Sequence, residues 1–561
     1  MCYPRCKTII LLTGASTSLI QRCHKTLAAY YLRKIDDRAW PPVKTTNFIN
    51  LALIKDHKHK TWRTTVQQSL DDVVGDKQNI SYYSMFSDIE DCQFILLEGR
   101  PGSGKTTLMN KISCDWANGE LLTSKLVVFV PLRQLNAESN RKLDTILRVA
   151  CPAMSPGDIQ ELVICITRNY GKEVIFAFDG LDEYVPHFYK RNISWFSSMF
   201  SCTRGDEERI DDVFELLRGN YLFEAQIIVT SRPVACRDFR EFAGRQIEVL
   251  GFLKPQVIEY VHHYFNSDKN KGQQLVGHLE QHPNLMNMAY LPLHCAMLVF
   301  LYEEDTILPE TETEFYKHFT LSTLLRFIRK RQGEIITITS FNQLPRDDKF
   351  IFDKVCKLAF NATVKSQQVF TSIDVKNILT NATSTINSLG LVVIDQYFMR
   401  YGSDETYTFL HLTFQEYLAA VHIAGLTKPQ QMDIIKNHRY EVHLSVVWRF
   451  LCGMMDFPSA SAVEAFKSLM EATKDKLFQL GCCYESQHLL PCTHLIHACE
   501  GKLEFSHNNL SPSDCIAIGY VVNKSKYQNV NLCFDWCNMS ADGVVALLKQ
   551  IDDTPFSLTL K

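Results

Sequence analysis

Three clusters in the chain have the residue types and spacing that phosphate chemistry needs. The first, residues 94–107, reads FILLEGRPGSGKTT, and its Gly99, Gly104, Lys105 and Thr106 fill the fixed positions of G-x-x-x-x-G-K-[ST] behind an apolar run. Successive backbone N–H groups must converge on anionic oxygens in such a loop, so Gly99, Gly102 and Gly104 keep it open. The expected cradle for a nucleotide's phosphates is Gly99, Arg100, Pro101, Gly102, Ser103, Gly104, Lys105, Thr106 and Thr107. A helix starting near Lys105 would aim its first N–H groups at the anion. Lys105 would neutralise the β and γ phosphates of ATP, and the Thr106 hydroxyl would enter the shell of a Mg²⁺ ion.

The second cluster is FDGLDEY, with Asp179 at the carboxyl end of an apolar run, where open α/β sheets bind ligands. Asp179 is the expected metal carboxylate, holding Mg²⁺ directly or through water opposite Thr106. Asp182 and Glu183 are catalytic candidates that would orient or deprotonate an attacking water. Taken alone, three acids within five residues read equally well as a solvated loop; the phosphate loop upstream favours the metal. The third cluster is Thr230-Ser231-Arg232-Pro233, where an arginine that cannot lose its charge suits a sensor of the γ phosphate. An ordinary strand-ending turn is the alternative.

These clusters need a sheet that brings strand ends together. Short apolar runs at 94–97, 126–130, 174–178, 226–229 and 247–250 alternate with amphipathic or polar stretches, which predicts a five-stranded, doubly wound parallel sheet. At 561 residues the chain is too long for one core. Its net charge of −3 gives no general attraction to nucleic acid. Residues 1–62 nevertheless hold eleven Lys and Arg against three Asp and Glu, either a docking arm or, more simply, a solvated basic leader. No run approaches the ~18 apolar residues that span a bilayer. The 19 cysteines are odd in number and mostly in apolar contexts, which suits reduced, buried thiols in a cytoplasmic protein.

In that order and spacing, GRPGSGKTT, FAFDGLDEY and IIVTSRP resemble the NACHT family of STAND nucleotide switches, with NOD-like receptors as the nearest type. The resemblance implies an α/β P-loop NTPase domain followed by a helical domain, a winged-helix domain, a second helical domain and a short leucine-rich-repeat-like end. The corresponding segments are 91–250, 251–310, 311–425, 426–500 and 501–561, preceded by a basic arm at 1–35 and a lead-in linker at 36–90. Apolar runs around a Gly402-Ser403-Asp404 turn fit the wing, and two Asn-led repeats 29 residues apart, beginning at Asn509 and Asn538, fit the last segment. Such a pair either belongs to a longer repeat array or caps the helices before it. Pro292, in YLPL, resembles the family proline that packs on adenine. His411, opening HLTFQEYLAA, resembles the histidine that touches the β phosphate of bound ADP.

The same resemblance implies an ATP/ADP switch, closed with ADP, slow to hydrolyse ATP, and self-associating into a ring or disc when open, in innate immune or stress sensing. The activating ligand and the downstream signalling protein are undefined, because no N-terminal signalling module is recognisable. The alternative is an ATP-driven remodeller of nucleic acid or protein. DNA binding by the wing is disfavoured, since Arg400 is the one basic residue between Val393 and Phe409.

Overall fold

The computed structural model describes residues 14–36, 49–55, 80–87, 92–99, 102–136, 138, 140–184, 211–232, 236, 239–304, 308–332, 338–371, 375, 391–395, 406–409, 411–506, 508–510, 512–527, 529–539, 541–551 and 556–560. The described residues divide into two compact units, the first comprising those up to Gly251 and the second those from Phe252 onward.

The first unit is organised by strands β1 (Ala52–Lys55), β2 (Phe94–Gly99), β3 (Leu126–Pro131), β4 (Val174–Asp179), β5 (Gln226–Ser231) and β6 (Arg245–Gly251), in the order β1-β6-β2-β5-β4-β3. β2 to β5 are buried at every position, as their unbroken apolar runs require when both faces are covered. β2 to β6 are the five predicted strands, and they pair in parallel. The sheet is nevertheless six-stranded and mixed, because β1 pairs antiparallel with β6 through a register shift between Ala52 and Leu53. This strand comes from the stretch expected to be a lead-in linker.

The basic leader, an unassigned arm on sequence alone, likewise contains helix α1 (Gly14–Asp36). It packs on helices α2 (Lys105–Ala117) and α4 (Pro156–Arg168); α3 (Leu143–Ala150) lies between these two in sequence. The Tyr31 hydroxyl of α1 donates to the Val127 carbonyl at 3.3 Å and accepts from the Phe129 N–H at 2.8 Å, which covers the outer edge of β3. Helix α5 (Asp212–Leu217) precedes β5 and is capped by the Asp211 side chain.

The second unit begins with helices α6 (Lys254–Tyr264), α7 (Lys269–Gln281), α8 (Pro283–Ala289) and α9 (Pro292–Glu303). Val257, Tyr260 and Val261 form the buried stripe of α6. Two longer helices come after them, α10 (Glu312–Gln332) and α11 (Arg346–Val364), and then a small antiparallel sheet. Its strands β7 (Val369–Thr371), β8 (Val392–Asp395) and β9 (Thr406–Phe409) stand in the order β7-β9-β8, with Val392 opposite Phe409. The two runs expected to form a wing hairpin therefore pair, while the Gly402-Ser403-Asp404 turn lies outside the described residues.

Helices α12 (Leu412–Ala424), α13 (Lys428–His438), α14 (Ser445–Gly453), α15 (Ala460–Glu471), α16 (Lys476–Ser486) and α17 (Leu489–Ala498) come next. The final part alternates β10 (Lys502–Ser506), β11 (Asn509–Leu510), α18 (Pro512–Ser525), β12 (Val530–Asp535), β13 (Asn538–Met539), α19 (Ala541–Gln550) and β14 (Phe556–Leu560). β10, β12 and β14 run parallel, and Asn509 stands directly opposite Asn538, so the 29-residue sequence repeat is also the structural register. Among the described residues the cysteines are free thiols, and no helix is long and apolar enough to cross a membrane.

Candidate nucleotide site

The strand order is what assembles the site. β5 lies between β2, which carries the phosphate loop, and β4, which carries the acids, so their carboxyl ends adjoin. At the end of β2, Gly99 has no room for a side chain: a Cβ there would lie 2.6 Å from both the Ser103 Oγ and the Val249 carbonyl. Gly102 and Gly104 adopt φ of 77° and 95°, the left-handed region where side chains are strained. Gly104 then starts α2, and its carbonyl accepts the first helical bond, from Leu108 N–H at 2.8 Å. Arg100 and Pro101 lie outside the described residues.

The Lys105 ammonium folds back onto the Gly99 carbonyl at 2.7 Å. Burial pulls its pKa down, with the charges of Asp182, Asp179 and Glu183 opposing and that of Arg232 assisting. Thr106 and Thr107 are on the first turn of α2. Among the described residues the buried Ser103 Oγ has no hydrogen-bond partner. An orphaned hydroxyl inside a glycine cradle, beside a half-buried ammonium and a helix N-terminus, fits a polyphosphate.

Across the strand ends, Asp179 is almost fully buried and accepts from the Thr230 hydroxyl at 2.7 Å. The same hydroxyl accepts the Gly180 N–H at 2.8 Å, tying β4's exit to β5. Gly180, at φ 82°, turns the chain into the short 3-10 turn Leu181–Glu183. Asp182 is held twice by Arg232, through Nε at 2.8 Å and the backbone N–H at 3.2 Å. Glu183 is pushed up to about 7, chiefly by burial, with Arg133 opposing and Asp182 and Asp179 adding to it. The Glu183 carbonyl accepts from Asn136 Nδ2 at 2.8 Å.

The structure thus brings Lys105, Asp179, Asp182, Glu183 and Arg232 together. Pro292 and His411 both belong to the second unit. Pro292 is the first residue of α9, and His411 is the N-cap of α12, its Nδ1 accepting from the Thr413 N–H at 3.2 Å. In the sequence Thr230 stands out only as part of a polar trio, and Glu98, Arg240 and Arg133 do not stand out at all. Thr230's role needs the strand order, and Glu98 and Arg240 are 142 residues apart. Among the described residues no three His, Cys, Asp or Glu could hold a metal by themselves. Mg²⁺ keeps waters and takes only one or two protein ligands beside phosphate; Thr106 and Asp179 are of the right chemistry to hold it.

Residues 93–268 match the NACHT domain family model. The NACHT, LRR and PYD domains-containing protein 3 of Bos taurus is 24% identical over 413 residues, covering 68% of this chain and 37% of that protein. The human NACHT, LRR and PYD domains-containing protein 12 is 22% identical over 447 residues, covering 74% and 40%. The chain therefore matches less than half the length of these curated relatives. A STAND signal transduction ATPase with a tetratricopeptide repeat sensor from Pyrococcus horikoshii superposes with a TM-score of 0.30 at 10% identity, over 80% of this chain and 61% of that one. The chain is thus similar to the NACHT domain over residues 93–268 and, across 68% and 74% of its length, to NACHT, LRR and PYD domains-containing proteins.

Proposed function

We propose that the chain is an ATP/ADP-dependent conformational switch that hydrolyses ATP slowly. The observation that carries this reading is the pairing of Arg232 with Asp182 at the mouth of the phosphate cradle, next to a Thr230-anchored Asp179. An arginine already committed to an acid must exchange partners to meet a γ phosphate, which makes it responsive to the third phosphate rather than to nucleotide in general. In this reading Gly99 to Thr107 bind the phosphates, and Thr106 and Asp179 would hold Mg²⁺, which would supply neutralisation of phosphate charge. Asp182 and Glu183 position or deprotonate water, Pro292 packs on adenine, and His411 contacts the β phosphate in the closed, ADP-bound form.

The second unit then supplies the helical, winged-helix and leucine-rich-repeat-like parts that open and close. The open form associates head to tail into a ring or disc, in the cytoplasm, in immune or stress sensing, in response to a ligand and toward a signalling protein that the site itself does not specify. The test is nucleotide extraction and light scattering on the purified chain. ADP should copurify, the mass should rise after exchange into ATP, and Lys105→Ala should carry no nucleotide. Stimulated turnover near about one per second with DNA, RNA or protein present would favour a remodelling motor instead.

A further inference from the structure

Glu98 is the last side chain of β2 before Gly99, and it is completely buried. A carboxylate there is costly unless paired with good geometry. Its partner is Arg240, whose Nε and Nη2 donate to Oε1 and Oε2 at 2.7 and 2.8 Å, a two-point fork that fixes both groups. Arg240 comes after β5 in the chain, in the segment that links Arg232 to β6. Cys236 of the same segment donates its thiol to the Arg232 carbonyl at 3.2 Å, beside the Ser231 hydroxyl at 3.1 Å. Burial and then the Glu98 carboxylate push that thiol's pKa up, so it stays protonated and a donor. The Arg232 main chain is therefore gripped on its carbonyl by Ser231 and Cys236 and on its N–H by Asp182.

We propose that Glu98 and Arg240 are a positioning pair for Arg232: they anchor the exit of β5 to the root of the phosphate loop, so that the Arg232 guanidinium is held where a γ phosphate arrives. This rests on reading Arg232 as the γ-phosphate sensor. A pair serving stability alone would weaken ADP and ATP binding together. A positioning pair acts on the third phosphate and only through Arg232.

The test measures ADP and ATP dissociation constants for the full chain and for Arg232→Ala, Arg240→Lys and the double variant. Arg240→Lys keeps the charge and loses the fork. ADP affinity should stay within about threefold, while the preference for ATP over ADP falls roughly tenfold, the size of one charge-assisted hydrogen bond. On the Arg232→Ala background, Arg240→Lys should change that preference no further, since both act on one contact. An unchanged preference, an equal loss of ADP and ATP affinity, or losses that multiply in the double variant would each overturn the proposal. Glu98→Gln gives the same comparison should Arg240→Lys not fold. A wild-type chain that binds both nucleotides equally would overturn the sensor reading itself, and this inference with it.

Discussion

At the scale of single residues, the acids after β4 are not equivalent, and their environments divide the work. Asp179 is bonded to Thr230 and Asp182 to Arg232, whereas Glu183 is half-buried beside them and pushed up to about 7. A carboxyl whose folded pKa lies above its ordinary 4.5 holds its proton longer folded than unfolded. Its penalty on stability is therefore absent below about 4.5, grows as the pH rises, and is complete above about 7. Glu183→Gln should remove that decline, so the melting temperature of the variant should fall less between pH 5 and 7.5 than that of the wild type. Equal falls in the two proteins would refute the assignment. If Glu183 is the base, wild-type hydrolysis should rise with pH up to about 7 and then level, because only the carboxylate accepts a proton.

At the scale of elements, helices far apart in sequence finish one another's ends. The Glu485 carboxylate of α16 accepts the Thr313 N–H at 2.9 Å, the Thr313 hydroxyl at 2.5 Å and the Glu312 N–H at 3.2 Å, and so caps the start of α10. Arg449 of α14 pairs with Glu312 at the same place. Removing a carboxylate that satisfies buried donors costs about 1–3 kcal/mol. Glu485→Ala should lower the stability of the second unit to urea by that amount, and Glu485→Gln, which keeps an acceptor, by less; an Ala midpoint equal to the wild type's would exclude the cap. None of this is legible in the sequence, because the partners are 172 residues apart. The parts that are legible obey the same logic. Strands β2 to β5 are apolar on both faces and show up as runs, and Lys105, Asp179 and Arg232 can be picked out from residue types at the ends of those runs. β1 is four residues long and shifted in register against a partner some 200 residues downstream, so no local pattern announces it. The buried side of α1 is Leu19, Cys23, Leu27, Tyr30 and Tyr31, a stripe at helical spacing obscured by the basic residues between its members.

At the scale of the whole molecule, a switch needs a group whose contact with nucleotide differs between its states, since a ligand shifts an equilibrium only by its differential affinity. His411 is the candidate, but it already serves α12 as N-cap through Nδ1. Accepting at Nδ1 places the ring's hydrogen on Nε2 in the neutral form, the tautomer that can donate to a phosphate oxygen. The two roles make His411→Ala ambiguous, because losing a cap alone costs about 1 kcal/mol. His411→Asn separates them: asparagine caps a helix well but does not present a ring N–H at the same reach. With nucleotide removed from both proteins, the asparagine variant should keep the wild-type melting temperature; loaded with ADP it should release it faster and oligomerise without a stimulus, as light scattering would register. The alanine variant should do the same while also melting lower. If His411→Asn holds ADP as long as the wild type does, the histidine is a cap and nothing more, and the closed state must be held by other groups.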